Sequence, residues 1–400
     1  MKNYFTGFTD NDGNDIAESE SEDVEFDEEG IIRYYFHKGF EYKEILLFLG
    51  TYHDYHISYS TLLRRLKQYG IGRREQQIDY ATVRRRISEI NREAGSLSGY
   101  RSVWHTLEME GLRVPRIVVE EMLREIDPQG TAARKAHRLK RRVYSNPGPN
   151  YSWHIDGYDK LKHWGFPIHG GIDGFSRKIL WLNVTRSNNS PDNIASFYLN
   201  IVRELGGCPV ELVSDLGTEN GLAAAIQSFF RDNPDAHRYV SSPRNQRIEG
   251  WWSFYSRNRS HWWKNFFADL ESQGILDTSS EVRMECLWYC FSPLIQEDLN
   301  FVMNQWNTHR IRKSRQDTVS GRPDALFFLP QHYGGVDGLK LQVPQAEIDH
   351  VAEHIVVADS GNDYQEYFEY VKVSLGIENP TNCQEALDLY HSLILTAGDT

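Results

Sequence analysis

The chain has 400 residues, with 44 Lys and Arg against 56 Asp and Glu and a net charge of −12. It is long enough for two to four domains and for a core that needs no covalent staples. Four cysteines exclude a disulfide scaffold. The apolar runs are too short for a membrane span and the N-terminus is acidic rather than signal-like, so a soluble, intracellular protein is expected. The charge is unevenly spread: residues 1–30 hold one Lys and eleven acids, 31–150 hold 22 basic and 13 acidic residues, 151–330 hold 19 and 20, and 331–400 hold 2 and 12. A basic front segment therefore lies between acidic ends, and the sum says little about partners.

Residues 1–30, acidic and without period, predict a disordered tail. Residues 31–78 predict a small helical unit: Glu44–Leu49 is a short apolar helix, and Ser58 caps a second that Gly70 ends. In the second helix Leu62, Leu63, Leu66 and Tyr69 share one face while Arg64, Arg65 and Lys67 turn away. Two short helices, the second basic, suit either a helix-turn-helix that sets a cationic face on DNA or an ordinary amphipathic hairpin. Residues 79–150 predict a second helical unit: Thr82–Glu93, Gly99–Glu110, and a helix from Pro115 with Val118, Val119, Met122, Leu123 and Ile126 as its stripe. It ends in a basic run, six of the nine residues 134–142 being Lys or Arg. Arg138, Lys140, Arg141 and Arg142 in this run are candidates for clamping phosphates or for nuclear import, the alternative being a solvated linker. Asn146-Pro147-Gly148-Pro149-Asn150 marks a boundary.

Past that boundary the period changes. Trp153 and Ile155 alternate with His154 and Asp156, the pattern of a strand with one buried face. Pro167–Asp173 and Lys178–Thr185 read as two more strands. Ser190 caps a helix that Gly206-Gly207 ends, and strand Val210–Ser214, helix Gly221–Arg231 and strand His237–Val240 follow. Residues 151–330 thus predict an α/β domain, a mixed sheet with flanking helices. Residues 331–400, acidic and weakly periodic, predict a small helical tail domain for protein contacts or self-masking.

Three acids stand where such a sheet places its site. Asp156 ends the first strand opposite Trp153 and Ile155, Asp215 directly follows a parallel-type strand, and Glu249 lies in the next helix. Between them lie 58 and 33 residues. On a wheel of about 100° per residue, Ser253, Ser256 and Ser260 fall within about 40° of Glu249, with Arg257 and Lys264 at roughly 80° and 60°. Trp251, Trp252, Tyr255, Trp262, Trp263 and Phe266 fill a separate arc that predicts docking on the sheet. A small polar strip flanked by Arg257 and Lys264 suits a phosphate backbone, and the tryptophans read as core rather than base-stacking residues. Three convergent carboxylates repel by about 4 kcal/mol per pair at ~4 Å and an effective dielectric near ~20. Oxygen-only ligands of that charge favour Mg²⁺ or Mn²⁺, and two such ions can clamp the attacking and leaving oxygens of a phosphodiester. Singly, each acid has an ordinary reading as a turn cap or a surface residue.

At these residues the sequence resembles the integrase catalytic core shared by retroviral integrases and by insertion-sequence and eukaryotic transposases of the D,D,E superfamily. The matching segments are Trp153-His154-Ile155-Asp156, Gly171–Ile179, Val213–Asn220 and Ser242–Gly250, within about residues 80–330. Trp306–Arg310 and Gly321-Arg322-Pro323 resemble the end of the core. The resemblance implies an RNase H-like fold, with Asp156, Asp215 and Glu249 as catalytic residues and ligands of two Mg²⁺ (or Mn²⁺) ions. It implies cleavage of double-stranded DNA and attack of the freed 3′-hydroxyl on target DNA, without a covalent protein–DNA intermediate. Asp173 and Glu219 are the nearest rival acids, and the family pattern does not use them as ligands. A homo-oligomer on DNA is implied because two ends are joined, as is a nuclear location in a eukaryote and a cytoplasmic one otherwise. Departures are a last spacing slightly under the family's, no His/Cys module before the core, and an acidic tail. Two other functions remain open: a transposase-derived host protein that binds DNA without moving it, and a structure-selective nuclease.

Overall fold

The computed structural model describes residues 27–72, 79–92, 98–128, 146–313, 319–357 and 362–398. The basic run, with Arg138, Lys140, Arg141 and Arg142, lies outside them, as does nearly all of the acidic N-terminal tail.

The first helical unit has three helices, α1 (Glu28–His37), α2 (Tyr42–His53) and α3 (Tyr59–Gln68). Helix α1 begins inside the segment expected to be disordered, because the Asp27 side chain accepts from the Gly30 N–H and Glu28 and Glu29 occupy its positive first turn. Ser58 caps α3 as expected, accepting from the Thr61 N–H at 3.1 Å. Leu62 and Leu66 are buried there, but Leu63 is exposed, so the apolar stripe is narrower than expected. The unit's core is completed from far along the chain by Ala325 and Leu329. Glu44, inside an otherwise apolar stretch, is buried against Arg322 (2.8 Å) and the Tyr333 hydroxyl (3.0 Å). A buried carboxylate is tolerated because both its oxygens are paired.

The second unit comprises α4 (Tyr80–Arg92), α5 (Tyr100–Met109) and α6 (Arg116–Ile126), packed around Ile87, Leu107 and Val119. It is fastened to the core by buried polar contacts: His105 with Thr308 at 3.0 Å and Gln305 with Thr106 at 2.6 Å.

The core is a five-stranded sheet. Its strands are β1 (Ser152–Tyr158), β2 (Ile168–Asp173), β3 (Ile179–Val184), β5 (Glu211–Ser214) and β6 (His237–Tyr239), in the order β3-β2-β1-β5-β6. The first three pair antiparallel; β5 and β6 join β1 in parallel. Helices α7 (Pro191–Leu205) and α8 (Gly221–Arg231) cover the face that carries Trp153 and Ile155. Helices α9 (Gln246–Tyr255), α10 (His261–Ser272) and the long α11 (Glu281–Thr308) cover the other. The mixed, helix-flanked sheet is the one predicted.

Two features depart from expectation. A π turn at Ser256–Ser260 separates α9 from α10, so one straight wheel does not describe them. Past the turn Phe267 is fully buried and Phe266 only partly, and Ser260 leaves the polar strip to accept from the Tyr158 hydroxyl at 2.8 Å. The turn also brings Arg259 inward to pair with Asp298 at 3.1 Å. The second departure concerns the C-terminal region, which packs onto the core instead of forming a core of its own. Helix α12 (Pro323–Phe328) is followed by β7 (Leu341–Gln342), which pairs with β4 (Gly207–Cys208), and by α13 (Gln345–Ala352), whose Ile348 joins the α7–α8 cluster. Helices α14 (Asp363–Ser374) and α15 (Cys383–Thr396) bury Phe368, Leu389 and Leu393 in the α11 cluster on the opposite face.

Candidate active site

Asp156 leaves β1 on the face shared with His154 and Tyr158, opposite Trp153 and Ile155, as the alternation predicts. Its strand partner is Gly170 of β2. A Cβ there would come within 3.1 Å of the Trp252 ring and 3.2 Å of Leu182, so glycine leaves room for Trp252 on the sheet. The Trp252 indole Nε1–H then donates to Asp156 Oδ2 at 3.0 Å.

Asp215 follows the last residue of β5, at the carboxyl end of a parallel strand. Its Oδ1 accepts from Asn220 Nδ2 at 3.0 Å and from the Gly217 N–H at 3.3 Å. Asn220 is buried and also reaches Glu219 at 3.4 Å. Glu249 lies in the first turn of α9 and accepts from the Ser242 hydroxyl.

The start of α9 is tied to β1 by one buried side chain. Asn245 Nδ2 donates to the Ile155 carbonyl at 2.9 Å, and its Oδ1 lies 2.7 Å from His154 Nδ1. Since the amide oxygen only accepts, His154 carries its proton on Nδ1. Burial, foremost, lowers the His154 pKa to about 4, so the ring is neutral. The Glu249 N–H in turn donates to the Asn245 carbonyl at 3.2 Å, which makes Asn245 both strand anchor and helix start.

These elements bring Glu249 and Asp215 into electrostatic reach of Asp156. The Asp156 carboxyl is pushed up to about 8, first by burial and then by the charges of Glu249 and Asp215; the Trp252 hydrogen bond opposes the shift. Each acid nonetheless rests on its own donor, and among the described residues no group of three His, Cys, Asp or Glu is close enough to hold a metal ion. The rival Asp173 is structural. It is fully buried and accepts from the N–H groups of Asn150 (2.7 Å), Phe175 (3.1 Å) and Ser176 (2.7 Å) and from the Ser176 hydroxyl (2.7 Å), which close the turn after β2.

The candidate cations divide. Arg64 and Lys67 are exposed on α3, whereas Arg65 is held by Glu28 at 2.7 Å. Arg257 is exposed on the π turn and Lys264 on α10. Of the tryptophans, Trp251, Trp252, Trp263, Trp164 and Trp181 are buried, in keeping with a core role. Sequence reasoning passed over Asn245, His154, Trp252 and Asn220 as residues that place the acids. The signal for Asn245 was its position one helical turn before Glu249; the other three had none beyond adjacency to a motif.

No curated protein matches the chain. Residues 143–328 match the integrase core domain family, spanning the whole sheet, the three acids and the helices around them. With that match laid over a five-stranded mixed sheet in the order β3-β2-β1-β5-β6, this part of the chain is an integrase catalytic core of the D,D,E superfamily.

Proposed function

We propose that the protein cuts and joins DNA, with Asp156, Asp215 and Glu249 as its catalytic carboxylates. The observation that carries this reading is the convergence of charge on Asp156, whose carboxyl is raised by burial and by the other two acids. Like charges from the end of β5 and from α9 placed within electrostatic reach of a part-buried acid on β1 cost free energy, and such an arrangement is characteristic of a working site. Integrase core domains generally use divalent metals, and the oxygen-only donor set fits a hard cation such as Mg²⁺ or Mn²⁺ in kind. Bound ions would polarise the phosphodiester and stabilise both the attacking and leaving oxygens.

The residues of the chain have separable parts in that chemistry. Trp252 holds one Asp156 oxygen against the sheet. Asn220 and the Gly217 N–H orient Asp215, and Ser242 holds Glu249. Asn245 sets the separation of α9 from β1, hence of Glu249 from Asp156. Exposed Arg64, Lys67, Arg257 and Lys264 would neutralise DNA phosphates, and the basic segment 134–142 would add to them. Joining two ends calls for two active sites, so the working form is a homo-oligomer assembled on DNA.

The test is a strand-transfer assay with Mg²⁺ or Mn²⁺, using the DNA that flanks the gene as labelled donor and the Asp215→Asn variant alongside. Joined products that vanish with the variant support the reading. Cleavage without joining would favour a nuclease on the same fold. DNA binding with neither reaction would favour a host protein that retains only the grip.

A further inference from the structure

A large cleft lies away from the carboxylates, where the two N-terminal helical units meet the end of α11. It encloses about 1130 Å³ between α1, α5, α6, α9 and the segment after α11. That exceeds the roughly 300–1,000 Å³ usual for small-molecule pockets. Helix α9 stands between the cleft and the acids: Phe254 lines the cleft, and it leaves α9 about 140° from Glu249.

Its wall is cationic in a chain of net charge −12. Arg101, Arg113, Arg116, Arg310, Arg312 and Arg322 line it against only Glu41, Glu108 and Glu120. Glu41 is bound to Arg310, and Arg322 is held by Glu44. Arg101, Arg116 and Arg312 are exposed and make no ion pair among the described residues. Two helix N-termini open into the same space. Helix α5 starts after Gly99 and α6 after Pro115, and neither has a side-chain cap, so their first N–H groups add two positive dipole ends. The wall is also aromatic. Arg116 lies 4.0 Å from the Trp104 ring centroid and Arg101 5.2 Å from that of Tyr100, and Phe254 and Trp306 supply two further half-buried rings.

Cations, helix N-termini and aromatic faces in one cleft suit a ligand that offers both phosphates and unpaired bases. A duplex hides its base faces in its own stack, whereas a single strand presents them. We propose that this cleft binds a short unpaired DNA strand, separately from the site of cleavage and resting on the reading of the protein as a DNA-processing enzyme. Arg101, Arg116 and Arg312 take the phosphates, and Tyr100, Phe254 and Trp306 take bases. The contact area spans both helical units and the core, so an occupied cleft holds the three in one arrangement. The strand would be one opened near a DNA end, with its partner engaged at the carboxylates.

The test uses the full chain in EDTA, which removes cleavage from the readout. Binding of a dye-labelled oligothymidylate of about twelve nucleotides is followed by anisotropy, beside a duplex of the same length. The Arg101→Ala/Arg116→Ala variant should weaken oligothymidylate binding about tenfold and duplex binding less than about twofold. Tyr100→Ala should weaken it severalfold with the salt slope unchanged, since it removes stacking and no charge. Arg203→Ala, the loss of one charge on α7, should change neither. Thermal unfolding of each variant within a few degrees of the parent establishes that it is folded; both arginines are exposed and Tyr100 is half-exposed. Unchanged oligothymidylate affinity overturns the proposal. So does an equal loss for duplex, which marks a general phosphate groove, and so does full displacement by stoichiometric inorganic tripolyphosphate, which marks a small-anion site. Asp215→Asn should bind oligothymidylate like the parent, so failure of the strand-transfer assay and failure of this one are distinguishable.

Discussion

The indole of Trp252 donates to Asp156 across the gap between α9 and β1, at 3.0 Å. This contact joins the aromatic packing of the core to the chemistry at its edge: the same ring lies 5.0 Å from that of Tyr158 and 5.0 Å from that of Trp251. Trp252→Phe keeps an aromatic side chain and removes the donor. The bond favours the ionised carboxylate, so its loss should move the Asp156 titration upward. The acid limb of the pH–rate profile for DNA cleavage should shift to higher pH, with a loss of about tenfold at neutral pH. A limb that stays in place would show that Trp252 packs beside Asp156 without tuning it.

The raised carboxyl of Asp156 makes a stability prediction that needs no substrate. Its folded pKa, about 8, lies above the ordinary carboxylate value of 3.8. Between these values the folded chain holds a proton that the unfolded chain has released, so Asp156 costs stability progressively as pH rises from about 4 to about 8. Asp156→Asn should therefore raise the unfolding midpoint in metal-free buffer at pH 8 and leave it unchanged near pH 4. One pKa unit corresponds to about 1.4 kcal/mol, and partial exposure of the carboxyl to water reduces the gain at pH 8 to the order of 2 kcal/mol. Mg²⁺ should stabilise the parent and not the variant. Denaturant titrations at the two pH values, with and without metal, measure all four quantities.

Much of this architecture was legible in the sequence because its signals are local. The alternation of Trp153 and Ile155 with His154 and Asp156 assigns the two faces of β1, and Ser190 and Gly206 bound α7 within a residue. The three acids were legible as a set because each follows a local motif at a strand end or helix start. The π turn was not legible: inserting one residue in a helix leaves no compositional trace, yet it decides that Phe267 and not Phe266 is buried and that Arg259 meets Asp298. Nor was the seating of the N-terminal unit, whose core is closed by Ala325 and Leu329 and whose buried Glu44 finds Arg322 278 residues away. An acid in an apolar helix says that a partner exists, not where along the chain it stands.

Three buried histidines and two half-buried ones set the acid limit of the fold. Burial, the largest cause in each case, lowers His105 and His169 to about 3 and His154, His237 and His309 to about 4. Unfolded, each would take up a proton near 6.5. Their contribution is therefore fully present above about pH 6.5 and is lost as pH falls toward 4. The folded chain should lose stability with a slope of more than one proton per molecule across that window, opposite in sign to the Asp156 effect. Unfolding free energies measured in steps from pH 7 to pH 4.5 give the proton number directly. A flat profile would mean that these rings are charged in the fold.

The Asn245 amide offers the sharpest separation of structure from chemistry. Asn245→Ala removes the donor to the buried Ile155 carbonyl and the acceptor that lies 2.7 Å from His154 Nδ1. Each buried hydrogen bond lost costs about 1–3 kcal/mol, so the variant should lose roughly 2–4 kcal/mol of stability. Asn245→Asp restores an acceptor for His154 and not a donor for Ile155, and it should recover part of that loss with the His154 pKa moved upward by the new charge. If Asn245 sets the position of Glu249 as well as the stability of α9, strand transfer should fall in both variants even where the protein is fully folded, at low temperature and with DNA binding retained. Activity that tracks only the folded fraction would reduce Asn245 to a core contact. The His154 imidazole, followed by NMR across the pH range, reports whether the charge in Asn245→Asp has reached it.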